Sequence, residues 1–310
     1  MTSNSNNNNS VIYLHDVSED EEVDIKDNLK SIIDDAKELG CKEALKKNNH
    51  NLEYILSPKR SAYLSLANIQ KSDDVLEIGS SMGQHSIIIA QQCNSLATIE
   101  VVPQQAEFAR VWCDECELTN VEISAGGSSG KLPYASNSFD LVVCNYVLEW
   151  CAGRSQMDPE SFHRQYIQEM FRVLKPNGRL LLATKNRFSI RYILGSEDEH
   201  LGIRFGSALP RVIQNRFRKR ANLGHPTGYL HSWNALQKIL EDTVFNSVIR
   251  YLAYPDNRYA DFVGPFDEFS RDTLSESELS RIGIKNRVAL HLSKGLFEKT
   301  SNSLVFLAIK

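Results

Sequence analysis

The chain has 310 residues, a formal net charge of −4, 42% hydrophobic and 24% charged residues, and six cysteines. A mildly acidic balance argues against a nucleic-acid footprint spread over the surface. No apolar run has the length of a membrane span and no charged-then-apolar leader opens the sequence, so a cytoplasmic protein without a transmembrane segment is expected. Length allows one large domain with an elaborated cap. Cys41, Cys93, Cys113, Cys116, Cys144 and Cys151 sit within apolar or helical patterns, as reduced core thiols do.

Residues 1–20 open as polar low-complexity sequence and are expected to be a disordered tail. Over residues 21–70, Ile25, Leu29, Ile32, Ile33 and Ala36 recur at helical spacing and Gly40 follows as a stop. Further helical segments carry Tyr54 and Arg60. These helices are expected over the mouth of a cofactor site, with the alternative that they only cover a sheet edge. The main domain is then residues 71–310.

Asp73 to Ala90, DDVLEIGSSMGQHSIIIA, changes period from a buried strand to a helix through a glycine turn. Glycines at 79 and 83 let the backbone turn sharply beside a ligand, and the helix that follows offers unpaired N–H groups. Glu77, Gly79, Ser80, Ser81 and Gly83 are therefore cofactor candidates. The dinucleotide fingerprint needs glycine at 81 and 84, where Ser81 and Gln84 stand. SLATIEVV is a second strand ending in Glu100, placed to accept from both hydroxyls of a ribose, with Val101 beside it. VEISAGG is a third strand followed by Gly127 and Ser128. In KLPYASNSFDLVVCNYVLEW a fourth strand delivers Asn145 to the same edge. The helix PESFHRQYIQEMFRVLKPNG then feeds the strand GRLLLAT, VIRYLAYP is a sixth strand and SLVFLAIK a seventh.

E-I-G-S-S-M-G resembles motif I of class I S-adenosylmethionine-dependent methyltransferases, with Ser81 in place of the middle glycine; LPYASNSFDLV and RVLKPNGRL resemble later motifs of that family. The resemblance implies an α/β, doubly wound, seven-stranded and mostly parallel Rossmann-like sheet with an antiparallel last strand. It also implies S-adenosyl-L-methionine as cofactor. VLEW, the DEH segment and PDNRYADF resemble methyltransferases of bacterial surface-polysaccharide and lipopolysaccharide clusters. That implies O-methylation of a saccharide, sugar phosphate or lipid-linked saccharide, with transfer to a small aromatic or lipid metabolite, or a scaffold without transfer, as alternatives.

After the fifth strand, residues 187–232 form an insertion expected to cap the acceptor. Its cations sit among aromatic residues, a mixture that suits an anionic acceptor. Arg187, Arg191, Arg204, Arg211 and Tyr229 are the substrate-binding candidates; the alternative is a solvated face. A sugar hydroxyl needs a base. His200, oriented by Asp198 or Glu199, is the first candidate, His231 the second and Glu149 the third. Asp198, Glu199 and His200 also leave open a divalent cation.

Overall fold

The computed structural model describes residues 10–14, 23–154, 157–220 and 228–310. Eleven strands are described: β1 (Ile12–Tyr13), β2 (Asp74–Ile78), β3 (Ser95–Glu100), β4 (Val121–Ala125), β5 (Phe139–Asn145), β6 (Leu174–Lys185), β7 (Glu197–Asp198), β8 (Ile203–Arg204), β9 (Ser247–Tyr254), β10 (Phe262–Gly264) and β11 (Ser303–Ile309). All but β7 and β8 form one sheet in the order β1-β4-β3-β2-β5-β6-β11-β9-β10. Neighbours from β1 through β6 are parallel, while β11 runs antiparallel between β6 and β9.

The sheet has nine strands rather than the expected seven. The two additions are edge strands of two and three residues, shorter than the sequence patterns that mark the other strands. Ile12 and Tyr13 pair with Ser124 and Ala125, within the segment expected to be a disordered tail, and β10 pairs back on β9. The rest of that tail, 1–9 and 15–20, lies outside the described residues.

Successive side chains of a strand point to opposite faces, and both faces of this sheet are covered by helices, which is why its strands read as continuous apolar runs. Leu76, Val142, Leu180, Leu182 and Phe306 face the helices Pro159–Val173 and Trp233–Asp242. Val75, Leu141, Val143, Leu181 and Val305 face Gln84–Ala90 and Pro103–Glu115. The first two helices, Val23–Leu39 and Cys41–Lys47, set Ile32, Ile33 and Leu45 against Phe108 and Trp112. They therefore stack on the outside of Pro103–Glu115, and only the following stretch, from Tyr54 to Arg60, reaches the carboxyl edge of the strands.

The segment 187–232 leaves the sheet after β6 and is closed at its base. Asn186 bridges His231, and Arg187 N donates to His231 O at 2.9 Å. Between these points lie the helix Ile190–Ile193, the β7–β8 hairpin and the helix Arg211–Arg220.

Candidate functional site

The strands β2, β3, β4 and β5 all point their carboxyl ends at one cavity of about 890 Å³, at the upper end of the size of small-molecule sites. Its first wall is the turn after β2. Gly79 (φ 80°), Ser81 (φ 49°) and Gly83 (φ 90°) all take left-handed conformations. Glycine does so without steric cost, and Ser81 is held there by donating its N–H to Glu100 Oε2 at 2.7 Å. Any side chain at Gly79 would meet Val147, and one at Gly127 (φ 91°) would meet Ile99 at 2.7 Å. Glu100 is buried at the end of β3, with Oε1 accepting from Val102 N at 3.0 Å.

Of the cofactor candidates read from the sequence, Gly79, Ser80, Ser81, Glu100, Val101, Gly127, Ser128 and Asn145 line the cavity. Glu77 and Gly83 do not. Glu77 lies beneath the turn, accepts from Ser86 Oγ at 2.5 Å, and is pushed up to about 7 by burial, with the Glu100 charge adding to the rise. Gly83 packs on Ala109 and opens the helix Gln84–Ala90. Both shape the turn from behind rather than touching what it holds.

The other end of the cavity is built from aromatic rings and cations: Tyr54, Arg60, His85, Tyr146, Trp150 and Arg258. Arg60 lies over the Tyr54 ring at 4.4 Å, and that ring stacks on Tyr259. Arg258 lies 5.4 Å from the centre of Tyr146, whose hydroxyl is 2.5 Å from Ser303 Oγ. Asn145 Oδ1 accepts from Asn257 Nδ2 at 2.7 Å, which ties the end of β5 to the loop that carries Arg258. His85 Nδ1 meets Tyr63 Oη at 3.1 Å, and burial, with Arg60 nearby, lowers its pKa to about 4, so the imidazole is neutral at pH 7. Tyr54 and Arg60 were suggested by their helical context, and Trp150 and Arg258 lie inside segments noted only for resemblance. His85 and Tyr146 gave no signal beyond their places just after Gly83 and Asn145.

None of the expected bases stands on the cavity wall. His200 is fully buried, with Nδ1 at 2.9 Å from Asp198 Oδ1, and its ring lies 4.2 Å behind that of Trp150. His231 is buried with Nε2 at 2.8 Å from His163 Nδ1. Glu149 is buried and accepts from Thr184 Oγ1 at 2.6 Å. The sequence placed these groups near the site but not their depth, which comes from the insertion folding down behind Trp150.

The cap arginines are also elsewhere than expected. Arg187 donates to the carbonyls of Ser207 and Leu209, and Arg211 to Leu230 O while lying 3.8 Å over the ring of Tyr229. These two, with Tyr229, hold the insertion together. Arg191 pairs with Asp256 at 3.4 Å, and Arg204 is exposed. Asp198 and Glu199, proposed as joint cation ligands, turn apart: Asp198 takes His200, whereas Glu199 pairs with Lys185 and, at 3.0 Å, with Arg258. Among the described residues no cluster of three metal-ligating side chains occurs. Lys185 lies 5.6 Å from the Trp150 ring and is lowered to about 8 by burial, with Arg258 adding to the effect.

The glycine turn is a cradle that a Cβ would fill, Glu100 stands at the end of the neighbouring strand, and Ser80 Oγ is buried without a partner among the described residues. That set fits a nucleoside cofactor bearing a ribose and a small charged tail.

Residues 76–182 match the methyltransferase domain family. An uncharacterized methyltransferase-like protein of Schizosaccharomyces pombe is 30% identical over 120 residues, 38% of this chain and 41% of that protein. Demethylmenaquinone methyltransferase of Listeria welshimeri is 23% identical over 211 residues, 66% of this chain and 83% of that protein. The chain thus spans less than half of the first relative and most of the second. A phosphoethanolamine N-methyltransferase of Haemonchus contortus, solved with S-adenosyl-L-methionine, superposes with a TM-score of 0.50 at 13% identity, over 90% of this chain and 60% of that one. Over residues 76–182 the chain is therefore similar to a methyltransferase domain. No helix among the described residues is long and apolar enough to cross a membrane.

Proposed function

We propose that the protein transfers the methyl group of S-adenosylmethionine to a small acceptor that carries an aromatic ring and an ionisable hydroxyl. The observation that carries this reading is the two-ended cavity, a glycine turn with Glu100 at one end and an aromatic wall with two guanidinium groups at the other. The cofactor supplies an activated methyl on a sulfonium, so the protein has to align the acceptor and favour its nucleophilic form. Tyr54, Tyr146 and Trp150 give flat apolar surface for a ring. Arg60 and Arg258 favour the anion of a hydroxyl placed between them, which lowers its pKa without a base on the wall. The neutral His85 offers a hydrogen-bond partner beside them.

The saccharide reading came from the resemblance of VLEW, the DEH segment and PDNRYADF, and the arginines expected to hold an anionic acceptor, Arg187, Arg191, Arg204 and Arg211, do not line the cavity. The aromatic reading rests on residues that do, and a relative that acts on demethylmenaquinone supports it. Calorimetry should show S-adenosylmethionine binding. A labelled-methyl screen should then give transfer to phenolic acceptors and none to nucleotide sugars or sugar phosphates. Transfer to a sugar alone would overturn the acceptor assignment, and absence of cofactor binding would overturn the whole proposal.

A further inference from the structure

The helix Arg211–Arg220, RVIQNRFRKR, carries five cations and no acid in a chain of net charge −4. One side of it is fastened. Gln214 is buried and its Nε2 donates to the carbonyls of Gly206, Ser207 and Leu209, while Arg211 turns in toward Leu230 and Tyr229. Among the described residues the rest of its surface has no such partners. Val212 is 74% exposed, Ile213 39% and Phe217 49%, interleaved with exposed Arg216, Lys219 and Arg220.

The apolar surface continues beyond the helix. Phe205, 58% exposed, lies with its ring against Gly195, which follows exposed Ile193 and Leu194; Gly206, next to Phe205, is held by Gln214 of the helix. Gln214 is the buried contact of the helix, Val212 points away from it, and Ile213 and Phe217, one turn apart, run along its flank, so the exposed surface is not the unfinished side of a core. A solvated basic helix has no need of three outward apolar side chains. A nucleic-acid groove would be met by cations and polar groups, not by valine and isoleucine. Mixed apolar and cationic side chains over the exposed surface of the helix, without acids, match the chemistry of an anionic lipid surface: the apolar groups enter the acyl boundary while the cations meet the headgroups.

We propose that this face of the insertion docks the protein reversibly on an anionic membrane surface. The same insertion reaches the cavity through the Glu199–Arg258 pair, so docking places the aromatic end of the cavity near the lipid. The proposal is independent of which acceptor is methylated.

The test is co-sedimentation of the full chain with vesicles of phosphatidylcholine alone and of phosphatidylcholine with phosphatidylglycerol, at low and high salt. Binding is expected only to the anionic vesicles and should weaken with salt. Two variants separate the contributions, Arg216→Glu with Arg220→Glu, and Val212→Ser with Phe217→Ser. All four side chains are exposed, so cofactor affinity by calorimetry should match wild type in both variants and serves as the check on folding. The charge reversal should weaken vesicle binding by at least about tenfold, and the apolar pair should weaken it as well. Wild type that ignores anionic vesicles, or vesicle binding that survives both variants, overturns the proposal. So does tight binding to a duplex oligonucleotide without binding to vesicles.

Discussion

The two ends of the cavity are made of different material. The cofactor end is mostly backbone: three left-handed residues within five positions after β2, one carboxylate at the end of β3, and the Gly126–Ser128 turn after β4. The acceptor end is side chains from positions 54, 60, 85, 146, 150 and 258, carried by elements from four parts of the sequence. A backbone-built end tolerates few substitutions and accepts one ligand, whereas a side-chain-built end is adjustable one residue at a time. The largest contrast should therefore come from Gly79→Val. The φ of 80° and the collision with Val147 should remove cofactor binding altogether while circular dichroism still reports a folded chain; measurable affinity in calorimetry would show that the turn is more plastic than its conformation suggests.

Next in size is Glu100→Ala. It removes the acceptor for Ser81 N and Val102 N as well as the proposed ribose contact, and cofactor affinity should fall by about 1.5–3 kcal/mol, the range for hydrogen bonds to a charged group. Arg258→Gln tests the other end. Acceptor KM should rise by roughly tenfold, as expected for losing one charge-assisted contact, with cofactor affinity unchanged. A matching loss of cofactor affinity would mean that the two ends are not separable.

The smallest effect concerns the join between the insertion and the body. His163 is lowered to about 4 and His231 well below its usual value, chiefly by burial, and for His231 also by the facing His163 and by Arg211, Arg164 and Arg187. Histidines that stay neutral when folded but take up protons near 6.5 when unfolded contribute stability above that pH. The contribution is lost as pH falls from about 6.5 toward 4. Glu77 acts in the opposite sense, since its raised value makes stability fall as pH rises from about 4.5 to 7. His163→Gln leaves Glu77 untouched, so its melting temperature should decline less on acidification than that of wild type. Parallel melting curves across pH 4.5 to 6.5 would exclude the histidine pair as the acid-labile point.

The same contrast explains what could be read from the sequence. Gly79, Gly83 and Glu100 announce themselves because a strand, a turn and the next strand end must follow at short fixed spacing, and the apolar runs of β2, β5 and β6 mark strands buried on both faces. The acceptor end depends on contacts between residues as distant as Asn145 and Asn257, which no local pattern encodes. The histidines and arginines of the insertion were visible as residue types. Whether they face a ligand or the interior depends on how 187–232 folds back, and there Arg187 and Arg211 donate to carbonyls of the insertion itself.

The position of β11 has a consequence for how the molecule assembles. It follows every other described strand in sequence, yet it fills the place between β6 and β9, pairing Leu180 with Ala308 on one side and Ile249 with Leu307 on the other. The strands that hold the glycine turn and Glu100 are parallel neighbours joined by short helical connections and can register early, because their contacts are local. The part of the sheet that carries β9, β10 and the loop of Asn257 and Arg258 has no sheet neighbour until β11 arrives, and Ser303 on β11 is also what Tyr146 and Asn257 N bond to. Refolding followed by cofactor binding and by the environment of Trp150 should thus separate in time, with the nucleoside half competent before the wall that faces the acceptor has set.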